Sequence, residues 1–140
     1  MGLTVVDASV AVKWILDEAD SPAAEALLTG GDDLFAPELL RLEGAGAITR
    51  AFRQDRLTPD ETAEAISDWL AQLRRGDVKL TPDEPDIGRA AEISAILRHP
   101  IPDCLYLALA ERLGADLVTA DATFLRRAAP VWPRVRLLGT

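Results

Sequence analysis

The sequence predicts an α/β protein with a mostly parallel central sheet. Short apolar runs rich in β-branched residues alternate along the chain with segments whose apolar residues recur at helical spacing. The runs are uninterrupted, which is typical of strands that are covered on both faces. Because the chain has 140 residues and 49% of them are hydrophobic, we expect residues 1–140 to form a single domain with a sizeable core.

The first half of the chain predicts two strands and four helices. In chain order they are a strand at 3–6, a helix at 8–16, a helix at 21–28, a strand at 34–36, a helix from 37 to about 52, and a helix from 58 to about 73. Ser21 is expected to cap its helix, with Pro22 at the first helical position. Thr58 and Glu61 have the spacing of a capping box, which supports a helix start there.

The second half predicts three strands and three helices. In chain order they are a strand at 77–80, a helix at 84–97, a helix at 103–113, a strand at 117–120, a brief helix at 123–128, and a strand at 135–138. Gly114 suits the end of the helix before it, because glycine adopts the left-handed backbone conformation that closes many helices. Proline-rich pieces at 81–82, 99–102 and 130–133 are predicted to be loops.

Four acidic residues lie within or beside apolar runs, where carboxylates are unusual, and we call them the acidic quartet: Asp7, Glu43, Asp103 and Asp121. A carboxylate removed from water costs several kcal/mol unless it is paired, protonated or bound to a cation. Asp7 and Asp121 each close a predicted strand, at the edge of the sheet where open α/β proteins bind ligands. If the fold brings the quartet together, a divalent metal ion is the natural compensation.

Each acid taken alone has a simpler interpretation. An aspartate between a strand and a helix is a common N-cap residue, and Glu43 can pair with Arg50 two turns further along its helix. Capping does not explain two hydroxyl residues, Ser9 and Thr119, which stand two positions from the aspartates that close the strands. These hydroxyls are placed to steady a carboxylate or a metal-bound water.

Composition and charge limit the function further. The formal net charge of −8 argues against a broad basic face for nucleic acid, and leaves room only for a local basic rim. A single cysteine, Cys104, excludes an internal disulfide bond. No apolar run is long enough to span a bilayer and no signal peptide is evident, so we expect a cytoplasmic protein without a membrane partner.

Few other residues suggest chemistry. A metal-free ribonuclease that uses two histidines as acid and base is excluded, because His99 is the only histidine. His99 itself is expected to be an ordinary surface residue in a loop flanked by proline. Cys104 is expected to pack in the core, and the three tryptophans, Trp14, Trp69 and Trp132, to lie in the core or an interface.

Four segments resemble the acidic motifs of PIN-domain ribonucleases. They are residues 5–9, Glu43 in the helix that follows Pro37, residues 103–110, and residues 117–124. Their order and spacing, and the length of the chain, resemble the VapC toxins of bacterial toxin–antitoxin pairs. The resemblance implies a Rossmann-like α/β/α sandwich with a central parallel sheet, a Mg²⁺ or Mn²⁺ site, and endonucleolytic cleavage of RNA.

The resemblance also implies roles for particular residues and partners. The acidic quartet matches the catalytic and metal-binding acids, and Ser9 and Thr119 match the supporting hydroxyls. Many members have another acidic or polar residue where this chain has Thr123, so a second metal ion is expected to be held weakly, or only when the substrate phosphate helps to coordinate it. Lys13 and Arg126 are candidates for contacts with RNA. The expected partners are a cognate antitoxin with a basic side chain that enters the acidic site, and further copies of the chain in a homodimer and a toxin–antitoxin hetero-oligomer.

Two alternatives remain open at this point. One is a degenerate PIN-like module that only binds RNA or a protein, although the presence of all four acids argues against it. The other is a phosphoacceptor signalling domain, which also has an acidic Mg²⁺-binding pocket at the strand ends. Its aspartate should end the middle strand and a lysine the last one, whereas here Thr81 and Gly139 follow those strands.

Overall fold

Five strands and seven α-helices form in residues 2–140, the part of the chain described by the computed structural model. The strands are β1 (Leu3–Val6), β2 (Asp33–Pro37), β3 (Val78–Thr81), β4 (Asp116–Thr119) and β5 (Val135–Leu137). The helices are α1 (Ala8–Ala11), α2 (Ser21–Leu28), α3 (Leu40–Arg53), α4 (Pro59–Arg74), α5 (Glu84–Leu97), α6 (Ile101–Leu113) and α7 (Ala122–Ala128). None of the helices in the described residues combines the length and the apolar character needed to cross a membrane.

All neighbouring strands run parallel, in the order β3-β2-β1-β4-β5. In the central strand, Val5 lies opposite Phe35 of β2 on one side and Leu117 of β4 on the other. The chain builds the sheet outward from β1 to β3, then crosses back to add β4 and β5 beside β1. The carboxyl ends of β1 and β4 therefore flank the switch point at which α/β sheets bind ligands. In the strand order of a phosphoacceptor domain, the third strand lies next to the first, and this sheet does not have that order.

Helices cover both faces of the sheet, as the uninterrupted apolar runs predict. Successive residues of a strand point to opposite faces, and Val5 and Val6 are both fully buried. In β4, Leu117 packs in the larger core cluster, whereas its neighbour Val118 packs with Val10 in a smaller one. The predicted α/β/α sandwich with a parallel sheet is confirmed.

The most buried helix, α6, packs against β1, β2, β4 and α5. Seven successive residues, 104–110, are buried, so this helix faces no solvent over two turns. It begins at Ile101, two residues before the predicted start, because Pro102 fits the first turn of a helix, where its missing N–H has no partner to lose. Asp103 accordingly lies within the first turn instead of opening the helix.

A glycine and a tryptophan form the contact between α3 and α4. The indole of Trp69 is fully buried and its Nε1 donates to the carbonyl oxygen of Arg41 at 3.0 Å. A Cβ atom on Gly44 would lie 2.0 Å from Cζ2 of this indole, so only glycine allows the two helices to approach this closely. The contact holds α3 against α4 at Gly44, the residue that follows Glu43.

The segment after β1 differs from its prediction. The expected helix at 8–16 is a single α-helical turn followed by a 3₁₀ turn at Val12–Trp14. Ser21 is not a cap, because the N-cap residue of α2 is Asp20. The Ser21 hydroxyl instead donates to the Leu16 carbonyl at 3.0 Å and accepts from the Glu18 amide at 2.9 Å, which pins the intervening loop.

Other local predictions are confirmed. Thr58 and Glu61 form the expected capping box, with hydrogen bonds of 2.9 and 3.1 Å between each side chain and the other residue's amide. Helix α5 has the predicted bounds. Trp14 and Trp132 are half-buried against the core, and each indole donates to a backbone carbonyl.

Candidate active site

The acidic quartet converges at the carboxyl ends of β1 and β4. All four side chains line one cavity of about 170 Å³, together with Ala8, Ser9, Ala47 and Arg50. The sequence pattern made this convergence conditional on the fold, and the family resemblance implies it. It brings together residues from two strand ends and two helices that are far apart in the chain.

Asp7 lies deepest and is held by two hydroxyl groups. Its Oδ2 accepts hydrogen bonds from Thr119 Oγ1 at 2.8 Å and from Ser9 Oγ at 3.0 Å. Each hydroxyl oxygen in turn accepts a backbone amide, Thr119 from Asp121 at 3.1 Å and Ser9 from Ala120 at 3.0 Å. The amides orient the hydroxyls, and the hydroxyls orient the carboxylate. These contacts agree with the supporting positions expected for Ser9 and Thr119.

The environment of Asp7 disfavours its charge. Its side chain is only 5% exposed, and burial raises its pKa to about 6. The hydrogen bond from Thr119 opposes this shift, and the negative charge of Asp103 adds to it. Burial therefore disfavours the negative charge of Asp7, and a nearby cation would compensate for this cost.

Glu43 projects from α3 into the same cavity. Its Oε1 is buried and has no hydrogen-bond partner, and no ion pair joins it to Arg50 within the described residues. Burial raises the pKa of Glu43, with the charges of Asp7 and Asp103 adding to the effect. The buried hydroxyl of Tyr106 lies beside Glu43 and opposes this rise in pKa, although neither it nor Oε1 forms a hydrogen bond of good geometry. The Glu43–Arg50 ion pair of the simpler interpretation is absent from the described residues, although the positive charge of Arg50 acts to lower the pKa of Glu43.

Asp103 is hydrogen-bonded to His99, for which the sequence predicts no role in the site. Its Oδ2 lies 2.5 Å from Nε2 of His99, and His99 is 9% exposed. The expectation of an ordinary surface histidine is wrong, because Arg98 ends α5 in the left-handed conformation (φ 51°). The imidazole ring packs on Phe124, with ring centroids 5.0 Å apart. The spacing of four residues to Asp103 was the available sequence signal.

Capping explains one of the three aspartates. Asp121 is the N-cap of α7, and its Oδ1 accepts from the amides of Thr123 and Phe124 at 2.9 and 3.0 Å. Asp7 occupies the N-cap position of α1 but its side chain makes no capping bond. Asp103 lies inside α6. The capping alternative therefore fails for the two aspartates that are least exposed.

Three basic side chains, Lys13, Arg50 and Arg56, lie in the wall of a wider cleft of about 550 Å³ that adjoins the cavity. Lys13 lies in its wall, but Nζ is ion-paired with Glu18 at 2.7 Å and with Asp20 at 2.9 Å. Burial alone would lower the pKa of Lys13, but these two acids outweigh it and raise the pKa. Arg50 lines both the cleft and the cavity, whereas Arg126 is exposed on α7. The roles of Lys13 and Arg126 in RNA binding stay predictions.

Cys104 is not a nucleophile in this fold. It is fully buried, and burial raises the pKa of its thiol to about 11, with the charge of Asp103 adding to the shift. The prediction that it packs in the core is confirmed.

The donor set of the cavity fits a hard divalent cation. In residues 2–140 no three His, Cys, Asp or Glu side chains already stand close enough together to form a metal cluster. The oxygens are nonetheless of the type that such ions prefer, and neither Asp7 nor Glu43 forms an ion pair within the described residues. Binding would require the carboxylates to draw somewhat closer around the ion.

The fold and the site together define an α/β protein with a carboxylate-lined cavity at the switch point of a parallel sheet. The chain belongs to the PIN domain family, whose family model matches residues 4–130.

Curated relatives match over most of their length. Ribonuclease VapC12 of Mycobacterium tuberculosis (strain ATCC 25618 / H37Rv) is 31% identical over 119 residues, which cover 85% of this chain and 87% of the relative. VapC ribonuclease Mb0985 of Mycobacterium bovis (strain ATCC BAA-935 / AF2122/97) is 34% identical over 119 residues, which cover 85% and 86%.

Solved structures share the fold at lower identity. A chain of a toxin-antitoxin complex from Klebsiella pneumoniae superposes with a TM-score of 0.60 and 16% identity, over 95% of both chains. PAE2754 from Pyrobaculum aerophilum superposes with a TM-score of 0.66 and 19% identity, over 89% of this chain and 78% of that one. These likenesses support the fold.

Proposed function

We propose that this chain is an endoribonuclease that depends on Mg²⁺ or Mn²⁺ and serves as the toxin of a toxin–antitoxin pair. The observation that supports it most is the convergence of all four acids in one cavity, with the buried Glu43 Oε1 unpaired. The relatives that are 31–34% identical are named ribonucleases. Because RNA is the substrate, we place the enzyme in the cytoplasm.

The chain's own residues would bind the cation and orient its ligands. Asp7, Glu43, Asp103 and Asp121 would hold the cation. When bound, the ion neutralises charge on the phosphate and lowers the pKa of a water molecule. Thr119 keeps the Asp7 carboxylate in one orientation through the 2.8 Å hydrogen bond to Oδ2.

The RNA path is proposed to follow the wider cleft into the cavity. Arg50 lines both spaces and makes no ion pair within the described residues, so its guanidinium is available for a phosphate oxygen beside the cut bond. Lys13 faces the same cleft, but Glu18 and Asp20 already neutralise it. Arg50 therefore ranks above Lys13 as a phosphate contact.

Cleavage is expected to leave a 5′-phosphate and a 3′-hydroxyl. Attack by the 2′-hydroxyl on the phosphate needs an acid and a base, and a chain with one histidine lacks the histidine pair that supplies both in metal-free ribonucleases. Water is then the nucleophile. The test incubates labelled RNA with the purified chain in Mg²⁺ or in excess EDTA, and compares product mobility before and after phosphatase treatment.

Two results would contradict this proposal. A 2′,3′-cyclic phosphate would show that the ribose hydroxyl attacks, and full cleavage in EDTA would show that no divalent cation is needed. A matched preparation of the Asp7→Asn variant, purified in parallel, controls for contaminating ribonucleases.

The proposed antitoxin is a small protein with a basic segment. The cavity gathers four carboxylates, and an arginine or lysine placed near Asp7 and Asp103 would replace the cation as their compensating charge. A net charge of −8 favours encounter with such a partner in a salt-dependent manner. We also propose that the chain forms a homodimer and a hetero-oligomer with the antitoxin.

Co-expression with the open reading frames adjacent to its gene tests this partnership. One of them should co-purify with the chain, suppress cleavage, and restore growth to cells that the chain alone inhibits. Absence of any such partner, together with unimpaired growth, would refute the toxin assignment even if the chain cuts RNA. Light scattering of the purified chain, and of its complex with the partner, gives the molar masses that test the homodimer and the hetero-oligomer.

A further inference from the structure

The two ring nitrogens of His99 have different partners. Nδ1 lies 3.2 Å from Nη1 of Arg127, and Nε2 lies 2.5 Å from Asp103 Oδ2. A guanidinium group can only donate hydrogen bonds, so Nδ1 must be the acceptor. In the neutral ring the proton is then on Nε2, and the histidine donates to the Asp103 carboxylate. Arg127 thus selects the tautomer that supports this acid.

The ring is also fixed in space. The His99 amide donates to the Ser94 carbonyl at 3.2 Å, and the Ser94 hydroxyl donates to the His99 carbonyl at 2.6 Å. On its face the ring packs against Phe124, at an interplanar angle of 36°. The backbone hydrogen bonds, the contact with Phe124 and the hydrogen bond at Nδ1 hold the buried ring in one position. Its Nε2–H group is therefore a rigid donor.

The same contacts join two parts of the acidic site. Phe124, which supports the ring, has its amide bound to Asp121 Oδ1 at 3.0 Å. His99 therefore lies between the helix that bears Asp103 and the helix that Asp121 caps. Its position fixes Asp103 relative to Asp121, which sequence spacing alone cannot do.

We infer that His99 is a positioning residue that presents Asp103 to the divalent cation, an inference that rests on the proposed function. With Oδ2 held by Nε2–H, Oδ1 of Asp103 would be the oxygen left to bind the cation. The Asp103 side chain is 32% exposed, so without this bond it would sample other orientations. Loss of a hydrogen bond that orients a metal ligand typically lowers metal affinity by roughly 10–100-fold.

Four variants separate positioning from packing. His99→Leu removes the donor and keeps much of the bulk, whereas His99→Gln places an amide N–H near the position of Nε2. Arg127→Met removes the group that selects the tautomer. Arg74→Met is the matched control, because Arg74 is exposed at the end of α4, just before the start of β3. It therefore lies at the amino ends of the strands, away from the acidic site at their carboxyl ends.

The first measurement is Mn²⁺ binding to each full-length variant, read from the electron paramagnetic resonance signal of the free ion. His99→Leu should weaken binding by roughly 10–100-fold. His99→Gln should bind nearly as the native chain does, and Arg127→Met should fall between them. The control should be unchanged. Thermal unfolding without divalent cation shows whether each variant is folded.

The second measurement is RNA cleavage as a function of Mg²⁺ concentration. His99→Leu should need more Mg²⁺ for half-maximal rate and recover most of its maximal rate at saturation, a split that a merely unstable protein would not show. Equal Mn²⁺ affinity in His99→Leu and the native chain would overturn the inference. If His99→Leu does not fold, unchanged affinity in Arg127→Met overturns it.

Failure of the inference and failure of the proposed function give different results. A native chain that binds Mn²⁺ without cutting RNA contradicts the proposed ribonuclease, and the Mn²⁺ affinities of the variants still decide the role of His99. A native chain that binds no Mn²⁺ overturns both.

Discussion

The Asp7→Asn variant is expected to lose RNA cleavage while keeping its fold. Asparagine has nearly the same shape and can still accept from Thr119 and Ser9, but it lacks the charge that holds a cation. Loss of several kcal/mol of charge stabilisation in the transition state corresponds to a rate reduction of roughly 1,000-fold. Initial rates at saturating Mg²⁺ provide the measurement.

Asp116→Asn is the matched control for charge. Asp116 begins β4 at the opposite edge of the sheet and is half-buried beside Arg134, so its substitution should leave the cleavage rate unchanged. Undiminished cleavage by Asp7→Asn would refute the assignment of the site, and a similar loss in both variants would show that the effect is not local.

The same Asp7→Asn change is expected to stabilise the protein above pH 6 when no divalent cation is present. The pKa of Asp7 is about 6 in the folded state and 3.8 as its ordinary value, so the folded state binds the proton more tightly. Stability from this group is fully present below pH 3.8 and is lost as pH rises through 6. A difference of about 2 pKa units corresponds to about 3 kcal/mol, so the variant should melt roughly 10 °C higher at pH 8.

Urea unfolding in EDTA at pH 4 and pH 8 measures this effect. The two proteins should be nearly equal in stability at pH 4, and the variant should be the more stable at pH 8. A variant that is less stable than the native chain at pH 8 would contradict the claim that burial disfavours the Asp7 charge.

The Gly44→Ala variant is expected to be severely destabilised. The added methyl group would lie 2.0 Å from Cζ2 and 2.2 Å from Cε2 of Trp69. The indole is fully buried and hydrogen-bonded to the Arg41 carbonyl, so it cannot move aside without breaking both the packing and the bond. Overpacking of this kind costs roughly 3 kcal/mol or more in unfolding free energy.

Helix α3 also contains a control position at which a glycine-to-alanine change should raise stability instead of lowering it. Gly46 has open space where a Cβ would lie, so Gly46→Ala should stabilise α3 by up to about 1 kcal/mol because alanine is the better helix former. Urea unfolding followed by far-UV circular dichroism measures both variants. Equal stability of Gly44→Ala and the native chain would show that α3 and α4 separate easily.

Local patterns were sufficient for much of the fold and for the acids. The end of β1 at Val6, and the acid that follows it, could be predicted because a strand buried on both faces leaves an uninterrupted apolar run. Both bounds of α5 were also correct. Strand β4 begins and ends one residue earlier than its apolar run predicts. The rule that parallel strands present their carboxyl ends at one edge of the sheet placed Asp7 and Asp121 together. Glu43 and Asp103 lie on helices, and their convergence with the other two was implied by the family resemblance.

Contacts between distant parts of the chain could not be predicted in this way. The burial of His99 depends on Phe124 and Arg127, more than twenty residues away, and on the left-handed turn at Arg98. The neutralisation of Lys13 depends on how the following loop returns Glu18 and Asp20 to it. Each outcome is set by tertiary geometry, which residue spacing does not encode.

The strand order has a consequence for synthesis on the ribosome. Asp7 belongs to the first strand to emerge, but Thr119, its hydrogen-bond donor, is 112 residues later. Pairings this distant in sequence form late, after the intervening chain has been made. A chain interrupted before β4 has neither Thr119 nor Asp121 and leaves an edge of β1 without its partner. Unfinished translation products would therefore lack a working site, and activity would appear only when nearly the whole protein has been synthesised.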